Sequence, residues 1–136
     1  MQFIPHLSFN SNCEEAFLFY QEHLGGEIVT MMRHEGTPAE NHVPAEWRKK
    51  ILHASLRIGE QWLMGGDAPP GQFEPPRGFA VGLHIGEVKE AERVFYALAE
   101  KGRVTMPLQE TFWAIRFGML TDRFGIPWLV NCGRAA

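Results

Sequence analysis

The chain is poor in cysteine. Two residues, Cys13 and Cys132, cannot build a disulfide framework. A bridge between them is disfavoured in a reducing compartment. Cys13 falls at an expected helix start, where a thiol can acquire a lowered pKa; a small, partly buried structural role is the plainer alternative. Long apolar runs are also missing, and none approaches the roughly 20 residues needed to cross a bilayer, so no membrane partner is expected. Clustered basic charge is missing too. Arg48-Lys49-Lys50 is the only basic patch in a chain of net charge −3, which argues against nucleic acid as a partner. The opening MQFIPHLSF has neither the charged n-region nor the apolar h-region of a secretory leader. The expected location is therefore the cytoplasm. At 136 residues, with 45% apolar and 21% charged side chains, the chain has the size and composition of one soluble domain with a real core.

The most informative stretch runs from Glu110 to Asn131. Trp113, Ile115, Phe117 and Met119 alternate with Ala114, Arg116, Gly118 and Leu120, the period of a half-buried strand. Residues 122–125 break the pattern with turn chemistry: Asp122 can bond the turn backbone and Gly125 can take a positive φ. Residues 126–132 resume as a second strand, with Pro127 suited to an edge, a strand start or a bulge.

The rest of the chain repeats one order. Residues 3–10 alternate as a strand. A helix follows, capped by Ser11 or Asn12, with Ser11 and Glu14 at capping-box spacing, an apolar face of Ala16, Phe17, Phe19, Tyr20 and Leu24, and a stop at Gly25-Gly26. Strands are expected at 27–34, 51–58 and 61–65. Residues 35–50 read as a long mobile loop with a helical turn near 45–47; such loops can act as lids. Residues 66–78 hold four prolines and read as an exposed connector. Then the order returns: a strand at 79–85, a helix at 88–101 carrying Ala91, Val94, Phe95 and Leu98, a strand at 104–110, and the hairpin. Strand, helix and three strands are thus written twice, about 75 residues apart, and internal duplication is an architectural signal in itself. The expected fold is α+β: a single domain, residues 1–136, of two βαβββ modules at about 1–66 and 78–134. Two half-open curved sheets can enclose a cavity with the helices outside.

These residues resemble the vicinal oxygen chelate superfamily, which includes glyoxalase I, bleomycin- and fosfomycin-resistance proteins and extradiol dioxygenases. Within it the chain is similar to the PhnB-like branch. The resemblance is carried by Pro5-His6-Leu7-Ser8-Phe9, Asn12-Cys13, Phe19-Tyr20, Gly25-Gly26, His53-Ala54, Arg57-Ile58-Gly59, Met64 and Asp67-Ala68. It is strongest in ETFWA, TDRFG and the W-x-x-N of Trp128 and Asn131. No Gly-rich strand–loop–helix for a nucleotide-like cofactor accompanies it. The resemblance implies a small-molecule ligand in a concave cavity, a homodimer, and either no cofactor or one divalent metal ion. Superfamily metal ligands would fall on Pro5 of the first strand, near Phe79 or Ala80 of the fifth, and on Leu129 of the eighth, so the usual ligand set is not spelled out.

The candidate ligand-binding residues are His6, His53, Trp113, Arg116 and Asn131. His6 and His53 sit on the more polar faces of their strands beside Ser8, Ser55 and Arg57, and are the weak candidates for a metal; a hydrogen-bonded structural role is the alternative. Arg116 could hold an anionic group bidentately or pair with Asp122. Trp113 and Trp128 could stack on a planar ligand or pack in the core. Glu110 could act as a base or ligand, or cap local amides. Asn131 shares its side with Leu129 and could bond a ligand or finish the sheet edge. Three functions stay open: a PhnB-like small-molecule-binding protein of unknown substrate, a metal-dependent lyase, isomerase or dioxygenase using a divalent ion, and a structural or interaction domain with a filled core and no cavity.

Overall fold

Alternating side chains set the first sheet. In the computed structural model, which describes residues 1–133, the chain divides into two units, Met1–Glu74 and Pro75–Ala136. The first contains β1 (His6–Phe9), β2 (Glu27–Arg33), β3 (Ile51–Ile58) and β4 (Gln61–Asp67) in one mixed sheet, ordered β1-β4-β3-β2. β1 runs parallel to β4; β3 is antiparallel to both of its neighbours. Helix α1 (Cys13–Leu24) packs on β2, β3 and β4. It buries Cys13, Ala16, Phe17 and Tyr20. Phe17 meets Phe9 and Tyr20 edge to face, each with ring centroids 6.0 Å apart. Full burial of such a ring is worth about 1.5–3 kcal/mol. Gly65 lets β4 lie close beneath the helix, since a Cβ there would stand 2.5 Å from the Leu7 carbonyl oxygen and 3.1 Å from the Phe17 ring.

The helix start differs from the expected capping box. Ser11 takes φ 72°, and Asn12 occupies the N-cap without a side-chain bond to the helix. The cap comes from far along the chain. Asp67 Oδ1 accepts from the Cys13 amide at 3.0 Å, and Oδ2 accepts from the Ile51 amide at 2.8 Å. Glu14 turns instead to Arg33, 2.7 Å away. One carboxylate thus ties the end of β4 to the starts of α1 and β3.

The excursion between β2 and β3 is more ordered than its composition suggests. It is pinned at its base by His34 N to Lys50 O at 3.1 Å and Glu35 N to Arg48 O at 2.8 Å. It contains two 3₁₀ turns, Pro38–His42 and Ala45–Trp47. The Thr37 hydroxyl caps the first by accepting from Ala39 N at 3.1 Å.

The second unit repeats the plan. β5 (Val81–His84), β6 (Arg103–Gln109), β7 (Ala114–Thr121) and β8 (Pro127–Gly133) form a mixed sheet ordered β5-β8-β7-β6. Helix α2 (Val88–Ala99) packs on β6, β7 and β8. It buries Ala91, Val94, Phe95 and Leu98, the stripe legible in the sequence. The β7–β8 turn is organised by Asp122. Its Oδ1 accepts from Phe124 N and Ile126 N, both at 2.9 Å, and Gly125 supplies φ 91°. Its Oδ2 accepts from the Trp128 indole at 2.8 Å. Among the described residues no helix is long and apolar enough to cross a membrane.

Candidate functional site

Each sheet carries its helix on one face, and side-chain alternation puts a different chemistry on the other. In the first sheet Phe9, Ala54, Leu56 and Gly65 face α1. The opposite face presents His6 and Ser8 from β1, Met64 from β4, His53, Ser55 and Arg57 from β3, and Met32 from β2. The structure brings His6 and His53 together: their ring centroids are 6.4 Å apart with an interplanar angle of 30°. Arg57 lies 5.8 Å from the Trp62 ring centroid and 3.4 Å from the Glu27 carboxylate.

In the second sheet Gly118 marks the helix face, since a Cβ there would stand 2.7 Å from the Phe95 ring. Arg116, Leu120, Trp128, Val130 and Cys132 share that face through the ladder pairing. The other face holds Phe117 and Met119 from β7, Leu129 and Asn131 from β8, and His84 from β5. His84 and Phe117 are both register partners of Asn131. The Asn131 amide nitrogen lies 3.3 Å from His84 Nδ1.

The five residues singled out in the sequence therefore separate. His6 and His53 occupy the helix-free face of the first sheet, and Asn131 that of the second. Arg116 lies on the helix side, 3.6 Å from Glu92 of α2 and bonded to the Ile115 carbonyl at 2.8 Å. Its acidic neighbour is thus Glu92, not Asp122. Trp113 precedes β7, half-exposed, and meets Phe112 at 4.8 Å and Phe117 at 5.2 Å edge to face. Trp128 is buried core at 1% exposure. His84 and Phe117 were not picked out from sequence; their pairing with Asn131 was the missing signal, and it exists only once β5 docks beside β8.

Cys13, the first residue of α1, is fully buried beside Asp67, which fits the plainer structural role and not an activated thiol. Burial, then the negative charges of Asp67 and Glu14, push its pKa well above the ordinary thiol range. Both cysteines are free.

A polar cleft of about 180 Å³ opens at the start of α1, lined by Ser11, Asn12, Glu14, Arg33, Lys50 and Asp67 among others. Its charges mostly serve one another: Arg33 holds Glu14 and the Lys49 carbonyl, and Lys50 reaches the Ser11 carbonyl at 3.3 Å. It reads as a structural junction.

A model of the Glyoxalase/Bleomycin resistance protein/Dioxygenase superfamily matches residues 4–130. The chain belongs to this superfamily. Protein YjdN of Escherichia coli (strain K12) is 37% identical over 139 residues, covering 96% of this chain and 95% of the relative. The crystal structure of protein PA1353 from Pseudomonas aeruginosa is 46% identical, covers 99% of each chain and superposes with TM-score 0.91. The PhnB protein from Bacillus cereus, at 24% identity, TM-score 0.78 and coverage of 98% and 100%, shares the fold.

A divalent ion held by oxygen and nitrogen ligands does not fit the donor set of this superfamily member. Among the described residues no three His, Cys, Asp or Glu side chains gather with ligand spacing. His6 and His53 remain a pair of imidazoles without a third donor of that kind, and catalytic zinc sites use three protein ligands.

Proposed function

We propose that this superfamily member binds small, polar, planar molecules on the helix-free face of a sheet, each unit taken by itself. His6 and His53 supply ring nitrogens on the first sheet. His84 and Asn131 supply hydrogen bonds on the second, with Phe117 and Trp113 as aromatic surface. Arg116 is left out because Glu92 and a backbone carbonyl occupy its guanidinium. One observation supports the reading above others: two imidazoles stand 6.4 Å apart on a face that the unit's own helix does not cover. Structural histidines are more often found singly, bonded to local backbone, as His34 is to the Lys50 carbonyl at 3.0 Å.

The same reading holds that the two units work as one cooperative domain, in the cytoplasm and as a homodimer. Phe3 and Phe112, at 96% and 88% exposure, are large apolar groups suited to burial by a partner copy. Ligand-detected NMR with a set of small aromatic carboxylates and phenols tests the binding proposal. Compounds that bind the native chain should lose binding in His53→Ala when they occupy the first sheet, or in Asn131→Ala when they occupy the second. Hits indifferent to both substitutions would remove these faces from the function.

A further inference from the structure

The two imidazoles on the first sheet have a second feature in common: each has a thioether as its cross-strand neighbour. Met64 is the register partner of His6 on one side and of Ser55 on the other, so it stands on the helix-free face between β1 and β3. Met32 is the register partner of His53. Directly paired side chains start from Cβ atoms roughly 4.5–5.5 Å apart, within easy reach for a flexible methionine. The face thus offers two nitrogens and two soft sulfurs.

The spacing of the rings carries the argument further. Two imidazoles that share one ion, each nitrogen about 2.0–2.1 Å from it, hold their centroids roughly 5 Å apart when the N–metal–N angle is tetrahedral and roughly 6 Å apart when it is linear. The observed 6.4 Å lies at the linear end. Divalent zinc-type sites instead take three or more His, Cys or carboxylate ligands, and no such group occurs among the described residues. Thioether donors and low coordination both suit a soft monovalent ion with a filled d shell.

We propose that His6, His53 and Met64, with Met32 alongside, form a binding site for a soft monovalent ion, Cu(I) or Ag(I), on the helix-free face of the first sheet. The site is confined to one unit and needs no organic ligand; it shares His6 and His53 with the small-molecule reading without resting on it, and a titration with the ion alone tells the two apart. The cysteines do not compete on the face itself: both are buried, and the Cys13 thiol is held protonated.

The test is titration of the full chain with Ag(I), and with Cu(I) under anaerobic reducing conditions, no other ligand being added. The expected result is one ion per chain, shifts of the Met64 and Met32 methyl resonances, and weaker binding of Zn(II). His53→Gln and the volume-conserving Met64→Leu should each weaken Ag(I) binding at least about tenfold, the smallest loss typical even of outer-shell partners, with far-UV circular dichroism unchanged. Cys13→Ala/Cys132→Ala should leave the stoichiometry as it was. Binding that survives His53→Gln and Met64→Leu, that vanishes with the cysteine substitutions, or that favours Zn(II) over Ag(I) overturns the proposal.

Discussion

The indole N–H of Trp128 donates to Asp122 at 2.8 Å, while the other carboxylate oxygen takes two turn amides at 2.9 Å. A single buried acid therefore sets both the β7–β8 turn and the position of the largest core side chain of the second unit. Removing one partner of a buried charged network leaves the others unsatisfied, at about 1–3 kcal/mol per group. Asp122→Ala should lower unfolding free energy by roughly 3 kcal/mol or more. Trp128→Asn should also destabilise, through lost core volume and through the lost indole bond to Asp122. Urea denaturation measures both; an Asp122→Ala loss under about 1 kcal/mol would contradict the network.

Asp67 plays the matching part in the first unit, and it shapes the behaviour of Cys13. Asp67→Ala strands the Cys13 and Ile51 amides and should cost roughly 2–4 kcal/mol. The pH dependence has a definite sign. The folded thiol is held protonated by burial first, then by Asp67 and Glu14. The unfolded thiol ionises from about pH 8.5 upward. Above that pH the native state holds the proton that the unfolded chain releases, so stability falls as pH rises, by at most about 1.4 kcal/mol per pH unit. Cys13→Ala should remove that part of the alkaline slope. Equal slopes in both proteins between pH 8.5 and 10 would contradict the assignment.

Gly65 is required by contact rather than by backbone conformation. A methyl group there meets the Leu7 carbonyl oxygen at 2.5 Å, and that atom belongs to a ladder strand that cannot swing away. Gly65→Ala should cost about 1–3 kcal/mol. Gly71→Ala is the contrast, since its φ of 77° makes a side chain strained while nothing lies within 4 Å of the added atom. Its loss should be smaller and confined to the connector, as hydrogen exchange of β1 and β4 amides would show.

His84 and Asn131 carry a prediction about a proton. With the Asn131 amide donating to Nδ1 across 3.3 Å, the neutral ring of His84 keeps its hydrogen on Nε2. Long-range proton–nitrogen NMR should find that tautomer in the native chain, and a mixture in Asn131→Leu. A native Nδ1–H form would reverse the roles of the pair.

Much of the fold could be read from period and punctuation. β3 has the boundaries its alternation implied, and α2 buries the four residues of its apolar stripe. What escaped was non-local. The cap of α1 lies 54 residues away on Asp67, so local spacing favoured a Ser11–Glu14 box that does not form. The candidate site suffered from the same limit, with one avoidable error. Trp113 and Arg116 are three residues apart, and strand alternation already put them on opposite faces; the ladder sends Arg116 to the helix side. His84 was passed over because its value depends on β5 lying beside β8. Phe117 belongs to a half-buried alternating strand, and only the pairing of β7 with β8 shows that it faces away from α2.

The account rests on the helix-free faces being where a small molecule binds. The direct measurement is chemical-shift mapping of the isotopically labelled chain during titration with the tightest compound from an aromatic acid and phenol set. The account predicts shifts centred on His6 and His53 of the first unit, or on His84, Phe117 and Asn131 of the second. Shifts centred instead on α1, α2 or the 66–78 connector, with those five residues unmoved, would contradict it.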